Sequence, residues 1–222
     1  MLEGVAMEII RAPPSRDMAI LLLASSQDGA SLNLYRAMLE LGGWSGPTVL
    51  PHGTMHQHLE REIHLVLIEE LHIHADGIDS IHEENADCNI EEVLILSRHV
   101  SATNTPALTL HAIGIPGETP HGEKGQAGGK KGTVVPPSPR FASLFRGMLA
   151  EGRSRGLDRV YDLTLETTHH GPVLTKPTLY IEIGSTEEQW NSKEAADAWA
   201  SVIAVSYTHL RAHETLRYLV CR

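Results

Sequence analysis

The sequence predicts an α/β fold, an open mixed sheet with helices on both faces. Short apolar runs of the length of buried strands alternate with segments in which apolar residues recur at helical spacing. The first pair, residues 19–24 and 31–41, is separated by a turn, and the order strand, turn, helix is typical of doubly wound α/β domains. Hydrophobic residues make up 41% of the 222 residues and charged residues 21%, which is the composition of a folded chain.

The first half of the chain supplies four predicted strands. Residues 19–24 form a continuous apolar run that suits a strand buried on both faces, and residues 25–29 break it. A helix begins at Ser31, and Gly42 and Gly43 end it. The other apolar runs that predict strands are residues 64–68, 92–96 and 107–110.

A long connection follows at residues 114–139. It holds seven of the nineteen glycines and five of the twelve prolines, and such a segment buries too little apolar surface to form a core. We therefore predict a mobile connection, of a length typical of lids and binding loops. The elements predicted after it are a helix at 141–156, strands at 160–166 and 179–183, and a helix at 187–199. Together the elements predict a single domain over residues 18–205.

Charge and composition exclude several classes of protein. The formal net charge is −10, so the surface as a whole does not attract nucleic acid. No apolar run reaches the roughly 18–20 residues of a membrane helix, and the N-terminal residues lack the pattern of a secretory signal. Two cysteines, Cys88 and Cys221, give neither a disulfide framework nor a C-x-x-C metal site. We therefore expect a cytoplasmic protein with no membrane partner and no obligate protein partner.

Basic residues concentrate in one part of the chain. Residues 124–159 contain eight basic and two acidic residues, a local balance of +6 that leaves −16 for the rest. Two interpretations stay open: a solvated loop and helix face, or a patch that binds a phosphate backbone. The candidate backbone-binding residues are Lys130, Lys131, Arg140, Arg146 and Arg153.

Four histidines come directly after predicted strands. They are His99, His111 and the adjacent pair His169 and His170. Because the carboxyl ends of strands in an open α/β sheet meet at one crevice, these placements predict a group of imidazoles in one cleft. Neutral imidazole is the commonest metal ligand, and it is also the side chain best suited to proton transfer near neutral pH.

Two carboxylates are candidates to complete such a site. Glu166 precedes His169 at the same sheet edge, and Glu182 lies in an apolar strand, where an ionised carboxylate needs a cation or a hydrogen-bond partner. Either residue could join a metal shell or orient a histidine. A site of this kind suits hydrolysis, in which a metal ion or a histidine activates a water molecule.

Two further groups carry weaker signals. Ser185 and Thr186 open the last predicted helix, where free backbone N–H groups either bind an anion or are simply capped. Seven other histidines follow no zinc-finger spacing, so we expect them to be exposed or in loops, with weak surface metal binding as the alternative. These are His52, His56, His58, His64, His72, His74 and His82.

Three long motifs stand out in the sequence. They are SRHVSATNTPALTLHAIG at residues 97–114, LETTHHGP at residues 165–172 and EIGSTEEQW at residues 182–190. In content and order they closely resemble segments of the archaeal and plant-type D-aminoacyl-tRNA deacylases. The resemblance implies a zinc-dependent hydrolase that cleaves the ester between a D-amino acid and the 3′ end of tRNA. It also implies an α/β fold similar to peptidyl-tRNA hydrolase and the nucleoside phosphorylases.

The resemblance also suggests roles for the residues of the motifs. We predict that His99 and His170 are catalytic and that His111, His169 and Glu182 bind zinc, while the basic residues of segment 124–159 hold tRNA. Two alternatives stay open. One is a peptidyl-tRNA hydrolase-like enzyme or another acyl-ester hydrolase, and the other is a non-catalytic protein that binds metal or tRNA.

The C-terminus departs from the family pattern. Family members continue past the last helix into a Gly-Gly-Gly-His-Tyr-Ala-Pro segment, which this sequence lacks. Residues 205–214 instead resemble translated sequencing-adaptor sequence. We therefore expect the family sequence to be truncated near Val205 and residues 206–222 to be a non-native tail.

Overall fold

The structure is a computed structural model that describes residues 18–118 and 127–207. Within these residues, ten strands and five α-helices form. The strands are β1 (Met18–Ser25), β2 (Thr48–Leu50), β3 (Gly53–Gln57), β4 (Ile63–Ile68), β5 (Asn89–His99), β6 (Ala107–His111), β7 (Gly114–Ile115), β8 (Thr133–Val134), β9 (Asp162–Leu165) and β10 (Thr178–Gly184). The helices are α1 (Gly29–Glu40), α2 (Ile78–Ala86), α3 (Phe141–Ser154), α4 (Glu187–Trp190) and α5 (Lys193–Ser206).

Eight of the strands form one sheet in the order β2-β3-β4-β1-β5-β10-β6-β9. Strands β4, β1, β5 and β10 run parallel, whereas β3 is antiparallel to both of its neighbours. Strand β6 is antiparallel to β10 and parallel to β9, so the strand direction reverses between β10 and β6. This sheet confirms the predicted open, mixed α/β architecture.

The two faces of the sheet bury different residues because alternate side chains of a strand point in opposite directions. In β5, Leu94 and Leu96 join a core that also contains residues of α1, α3 and α5. Val93 and Ile95 join a second core with Tyr180 of β10, and α2 packs on that side. Helices therefore lie on both faces, as predicted. We call the face that carries Val93, Ile95 and Tyr180 the site face.

Most predicted elements are present, and the differences have local causes. The last predicted helix is two helices, because α4 ends at Trp190 and Ser192 caps α5 by accepting a hydrogen bond from the Ala195 N–H. Strands β2 and β3 and helix α2 escape prediction. Strand β2 is only three residues long, and β3 and α2 are largely polar, as in IDSIHEENA of α2, so none of them shows a clear apolar period.

Part of the Gly/Pro-rich connection is packed structure. Strands β7 and β8 pair antiparallel, and Val135 is buried in the core of the site face. The prediction of a long mobile connection is therefore wrong for residues 127–139, because their backbone is hydrogen-bonded and partly buried. Residues 119–126 lie outside the described part of the chain.

The described chain ends at Tyr207, just after α5. Its ring is buried, and the Arg140 guanidinium carbon lies 4.6 Å from the ring centroid. The predicted non-native tail begins at residue 206, and from residue 208 onward it lies outside the described residues. None of the helices in the described part has the length and hydropathy needed to cross a bilayer.

Candidate active site

The candidate active site lies on the site face, where three neighbouring strands present polar side chains. In the strand register, His99 of β5 pairs with Gly184 of β10, and His111 of β6 pairs with Tyr180 of β10. Glu182 lies between these two levels of β10, so His99, Glu182 and His111 share one face. Because β6 runs opposite to β10, its end lies beside the middle of β10. The expected meeting of strand ends at one edge is therefore wrong for β6 and for β9, which runs parallel to β6. The shared face brings the side chains of β5, β10 and β6 together.

A turn held by glycine backbone supplies two more histidines, His169 and His170. His170 has a φ of 47°, in the left-handed region that residues with a β-carbon rarely adopt. Its carbonyl oxygen accepts a hydrogen bond of 2.8 Å from the Gly114 N–H. Gly171 packs so closely on Gly129 that a β-carbon at Gly171 would overlap the Gly129 backbone. The glycine-rich connection therefore holds both histidines in place.

Three imidazoles pack together in this site. The rings of His111 and His169 stack with 4.3 Å between centroids, and the His170 ring meets both of them edge-on. In each ring Nδ1 lies 2.6–3.0 Å from a backbone carbonyl oxygen, which accepts its hydrogen. In the neutral form of each ring the lone pair is then on Nε2. One ligand nitrogen from each ring lies within 4.8 Å of the others.

The three rings fit a metal ion. The Nε2 atom of His111 is buried and has no hydrogen-bond partner. Burial and the neighbouring His111 lower the pKa of His170 to about 3, so its ring is neutral, which is the form that binds metal. The carbonyl groups at Nδ1 orient the rings, as outer partners commonly do for metal-binding histidines. His170, which we expected to be catalytic, thus lies among the candidate ligands.

Two carboxylates connect His99 to these rings. The Nδ1 atom of His99 lies 2.9 Å from Oε1 of Glu166 and 3.5 Å from Oε2 of Glu182. The other oxygen of Glu182 lies 3.6 Å from Nε2 of His111. Hydrogen bonds to Glu166 and Glu182 outweigh burial and raise the pKa of His99 to about 9. The sequence placed Glu166 at this edge but did not indicate that it pairs with His99.

The Glu182 carboxylate is ionised despite its burial. Burial raises the pKa of a carboxyl group, but His111, His99 and His170 together hold the pKa of Glu182 below its ordinary value. His99 is therefore an imidazolium facing two carboxylates at neutral pH. Such a group can donate a proton to a leaving group, and a neighbouring carboxylate can accept one from water.

A second layer of polar residues supports the rings. Tyr180 packs against His111 and His170, and its hydroxyl lies 3.2 Å from Nδ1 of His72. The Nε2 atom of His72 lies 3.4 Å from Asp28, the residue that also caps α1. We expected His72 to be exposed or in a loop, and it lies buried in a short 3-10 helix at His72–His74. The sequence contains no signal for this role, because the partners of His72 come from distant parts of the chain.

A cavity of about 230 Å³ opens above the side chains. Its wall includes His99, Glu166, His169, His170 and Glu182. His111 is fully buried behind them. The structure therefore gathers all five predicted catalytic and metal-binding residues, together with Glu166, around one opening.

The predicted tRNA-binding residues do not form one surface. Lys130 and Lys131 are exposed on the connection that packs on the His170 turn, close to the site. Arg146 and Arg153 are exposed on α3, which packs on the opposite face of the sheet. The predicted role of Arg140 is wrong. Its side chain is only 6% exposed and forms an ion pair with the buried Glu92, whose partner role the sequence does not reveal.

The predicted anion site at the start of the last helix is also wrong. Ser185 is buried, and its hydroxyl donates a 2.6 Å hydrogen bond to the carbonyl oxygen of Thr105. Thr186 forms a capping box with Gln189, so its backbone N–H already has an acceptor. The capping interpretation therefore holds, and α4 is only four residues long.

The fold has relatives among solved structures. The crystal structure of a conserved protein of unknown function, AF0625, superposes with a TM-score of 0.73 at 29% sequence identity, and the match covers 86% of this chain and 64% of that one. A futalosine hydrolase mutant of Helicobacter pylori superposes with a TM-score of 0.54 at 10% identity over 87% of this chain and 100% of that one. At that identity the second likeness concerns the fold alone.

Sequence comparison is more specific. A family model described as D-aminoacyl-tRNA deacylase matches residues 86–221, more than half of the chain. The D-aminoacyl-tRNA deacylase of Arabidopsis thaliana is 36% identical over 183 residues, which cover 82% of this chain and 57% of the relative. That of Methanosarcina mazei is 34% identical over 192 residues, which cover 84% and 62%. The chain thus spans about three fifths of the length of these relatives, and it belongs to the D-aminoacyl-tRNA deacylase family.

Proposed function

We propose that this protein hydrolyses the ester bond of D-aminoacyl-tRNA and releases the free D-amino acid and tRNA. The observation that carries the proposal is the convergence of four imidazoles and two carboxylates around one cavity of the site face. Membership of the family supports the choice of substrate. The reaction belongs in the cytoplasm, where aminoacylated tRNA is used.

Zinc is the proposed cofactor. His111, His169 and His170 would hold it through Nε2, because their Nδ1 atoms are already bonded to carbonyl groups. Glu182 would be the anionic ligand, since its carboxylate lies 3.6 Å from Nε2 of His111. A zinc ion bound there would polarise the ester carbonyl and acidify a water molecule. The geometry thus favours His170 as a ligand rather than as the group that acts on water.

His99 and Glu166 then form the proton-transfer pair. Glu166 accepts a proton from the water molecule whose oxygen attacks the ester carbonyl carbon. The bond from that carbon to the ribose oxygen breaks, and the His99 imidazolium donates its proton to the leaving oxygen. His99 keeps the Nδ1 proton that faces Glu166, so the proton that it donates is the one on Nε2. Exchange with solvent then removes the proton from Glu166 and returns one to Nε2 of His99, which restores both groups.

Lys130 and Lys131 are the proposed contacts to the tRNA backbone. Both are exposed, and their segment packs on the turn that carries His170. Lysine contacts to phosphate give affinity and position the acceptor end without reading base sequence. Arg146 and Arg153 lie on the opposite face of the sheet, so the proposal does not use them.

The decisive experiment compares matched D- and L-aminoacyl-tRNA substrates, with and without a chelator. We expect hydrolysis of the D substrate, loss of turnover with the chelator and recovery on addition of zinc. His99→Ala should lose turnover while tRNA binding stays measurable, and Arg146→Ala serves as the matched surface control. Equal rates on D and L substrates, preferential cleavage of peptidyl-tRNA, or metal binding without any turnover would contradict the proposal.

A further inference from the structure

A second cluster of metal-ligand side chains lies on the same face of the sheet, away from the cavity. His64 is on β4, His82 is on α2, and Cys88 is in the turn between α2 and β5. With the neighbouring His52 we call this group the distal cluster. His82 is fully buried, and His64 and Cys88 are 4% and 7% exposed. We expected these histidines to be exposed or in loops, and this is wrong for His64 and His82, which are buried in a strand and a helix.

The strand register separates the distal cluster from the candidate active site. His64 lies level with Leu21 of β1, which lies level with Val93 of β5 and through it with Thr178 of β10. Glu182 lies four residues further along β10, which corresponds to roughly 13 Å. The two clusters therefore lie towards opposite ends of the parallel strands and share no side chain.

The three atoms of the distal cluster converge on one point. Nδ1 of His64 lies 2.8 Å from Nε2 of His82 and 4.0 Å from Sγ of Cys88, and all three atoms lie within 4.8 Å of one another. A tetrahedral zinc ion with Zn–N of about 2.0 Å and Zn–S of about 2.3 Å holds such atoms roughly 3.3–3.6 Å apart. Side-chain shifts of about 1 Å would therefore bring the three atoms to ligand positions.

The chemistry of the cluster also suits a soft divalent metal. His82 contacts two other imidazoles, with its Nδ1 lying 3.0 Å from Nε2 of His52. Burial, His64 and His52 lower the pKa of His82 to about 3, so this ring is neutral and able to act as a ligand. Hydrogen bonds among the rings leave Nδ1 of His52 buried without a partner. One thiolate and two imidazoles are donor types that zinc favours, and three such ligands leave the fourth tetrahedral position to a further ligand such as water.

We propose that His64, His82 and Cys88 bind a zinc ion at a site separate from the active site, with one coordination position left to a further ligand. The ligands are Nδ1 of His64, Nε2 of His82 and the Cys88 thiolate, and the thiol proton is released to solvent as the metal–sulfur bond forms. This ion would tie α2 to β4 and to the start of β5.

A metal ion that fixes α2 would also affect residues 173–176, which follow the turn that carries His170 and contact α2. Asp79 of α2 accepts hydrogen bonds from the N–H groups of Thr175 and Lys176, and the Gly77 N–H donates to the carbonyl oxygen of Val173. These residues follow directly on the turn that carries His170. Zinc in the distal cluster would therefore steady α2 and, through it, the segment that leads out of the candidate active site.

Cobalt substitution of the full chain tests the proposal, because a thiolate ligand to Co²⁺ gives a charge-transfer absorption that nitrogen and oxygen ligands do not. Cys88 and Cys221 are the two cysteines of the chain, and the candidate active-site ligands contain no sulfur. We expect the absorption in the chelator-stripped, cobalt-loaded protein, in Cys221→Ser and in His111→Ala. It should be lost in Cys88→Ser and weakened in His82→Gln.

Two results would overturn the proposal. One is cobalt binding by the wild-type protein without the thiolate absorption, and the other is persistence of that absorption in Cys88→Ser. If Cys88→Ser does not fold, X-ray absorption of the zinc-loaded Cys221→Ser protein replaces it. A sulfur neighbour of zinc at about 2.3 Å is then expected, and a shell of nitrogen and oxygen alone would refute the site. Deacylation is measured separately, so failure of the proposed function leaves this test unaffected.

Discussion

The two histidine clusters of the site face show how differently one residue type behaves in two environments. The site cluster (His99, His111, His169 and His170) contains carboxylates, opens to a cavity and has three rings anchored to carbonyl groups. In the distal cluster the observed ring contacts are with other imidazoles and a thiol. The pKa of His99 is raised to about 9, whereas that of His82 is lowered to about 3.

This difference teaches that carboxylate neighbours can override the effect of burial on the charge of a histidine. Burial lowers the pKa of both rings, but only His99 has carboxylate partners that outweigh it. A charged ring beside ionised carboxylates suits proton transfer, and a set of neutral rings beside a thiol suits metal binding alone. Three predictions test whether the site cluster acts in catalysis while the distal cluster only binds metal.

The largest expected effect concerns the carboxylate shared by the site cluster. Glu182→Gln keeps the shape of the side chain but removes the charge that faces His99 and His111. We expect kcat/KM for D-aminoacyl-tRNA to fall by about 10²- to 10⁴-fold. The matched control is His52→Ala in the distal cluster, for which turnover should stay within a few fold of the wild type. Comparable losses in both variants would remove the distinction between the clusters.

The second prediction concerns the pKa of His99 in chelator-treated protein, followed by NMR of the imidazole carbons. Glu166→Gln removes its main charged partner, so the pKa should fall from about 9 towards 6.5, while the pKa of His82 stays unchanged. Because the pKa of His99 is raised in the folded state, its contribution to stability is complete below pH 6.5 and is lost as pH rises through about 9.

The free energy of unfolding should therefore decline less between these pH values in Glu166→Gln than in the wild-type protein. Chemical denaturation at a series of pH values measures this decline. A wild-type His99 that titrates near 6.5 would contradict the assignment of a charged ring to the site cluster.

The smallest expected effect concerns the surfaces beside the two clusters. Replacing Lys130 and Lys131 with alanine should raise KM for aminoacyl-tRNA severalfold. The slope of log affinity against log salt concentration should become less steep by about 1.5, which corresponds to two lost phosphate contacts. The exposed Glu69 and Glu70 border a groove next to His52, and their double alanine variant is the control. Filter binding at several salt concentrations distinguishes them. An unchanged salt slope in the lysine variant would show that the segment is only a solvated surface.

The apolar elements of this fold could be predicted from the sequence because their patterns are local. Strands β1, β4, β5 and β10 are continuous apolar runs, and α1 and α3 show helical spacing. Strand β2 has only three residues, β3 and α2 are largely polar, and tertiary contacts rather than a local pattern determine all three. The reversal of β6 has no local signal, because strand direction depends on which neighbour the strand pairs with.

The residues of the candidate site were found because four histidines follow apolar runs and match family motifs. The sequence does not show which distant residues pair with one another in the folded chain. Arg140 lies in a basic segment and was therefore expected at the surface. Its side chain is buried because it pairs with Glu92, which lies 48 residues earlier in the chain. His82 stands in a charged helix and is nevertheless fully buried, because its partners are His64 of β4 and His52 of the β2–β3 turn.

The alternation of side chains along β10 makes the site intolerant of length changes in that strand. Tyr180 and Glu182 point to the site face, whereas Ile181 and Ile183 point to the helices on the other side. Inserting or deleting a single residue ahead of Tyr180 would exchange the two sets. The carboxylate would then enter the hydrocarbon packing beneath α5, and an isoleucine would stand between His99 and His111. Changes of an odd number of residues ahead of Tyr180 are therefore incompatible with this site, because they would turn its side chains to the wrong face.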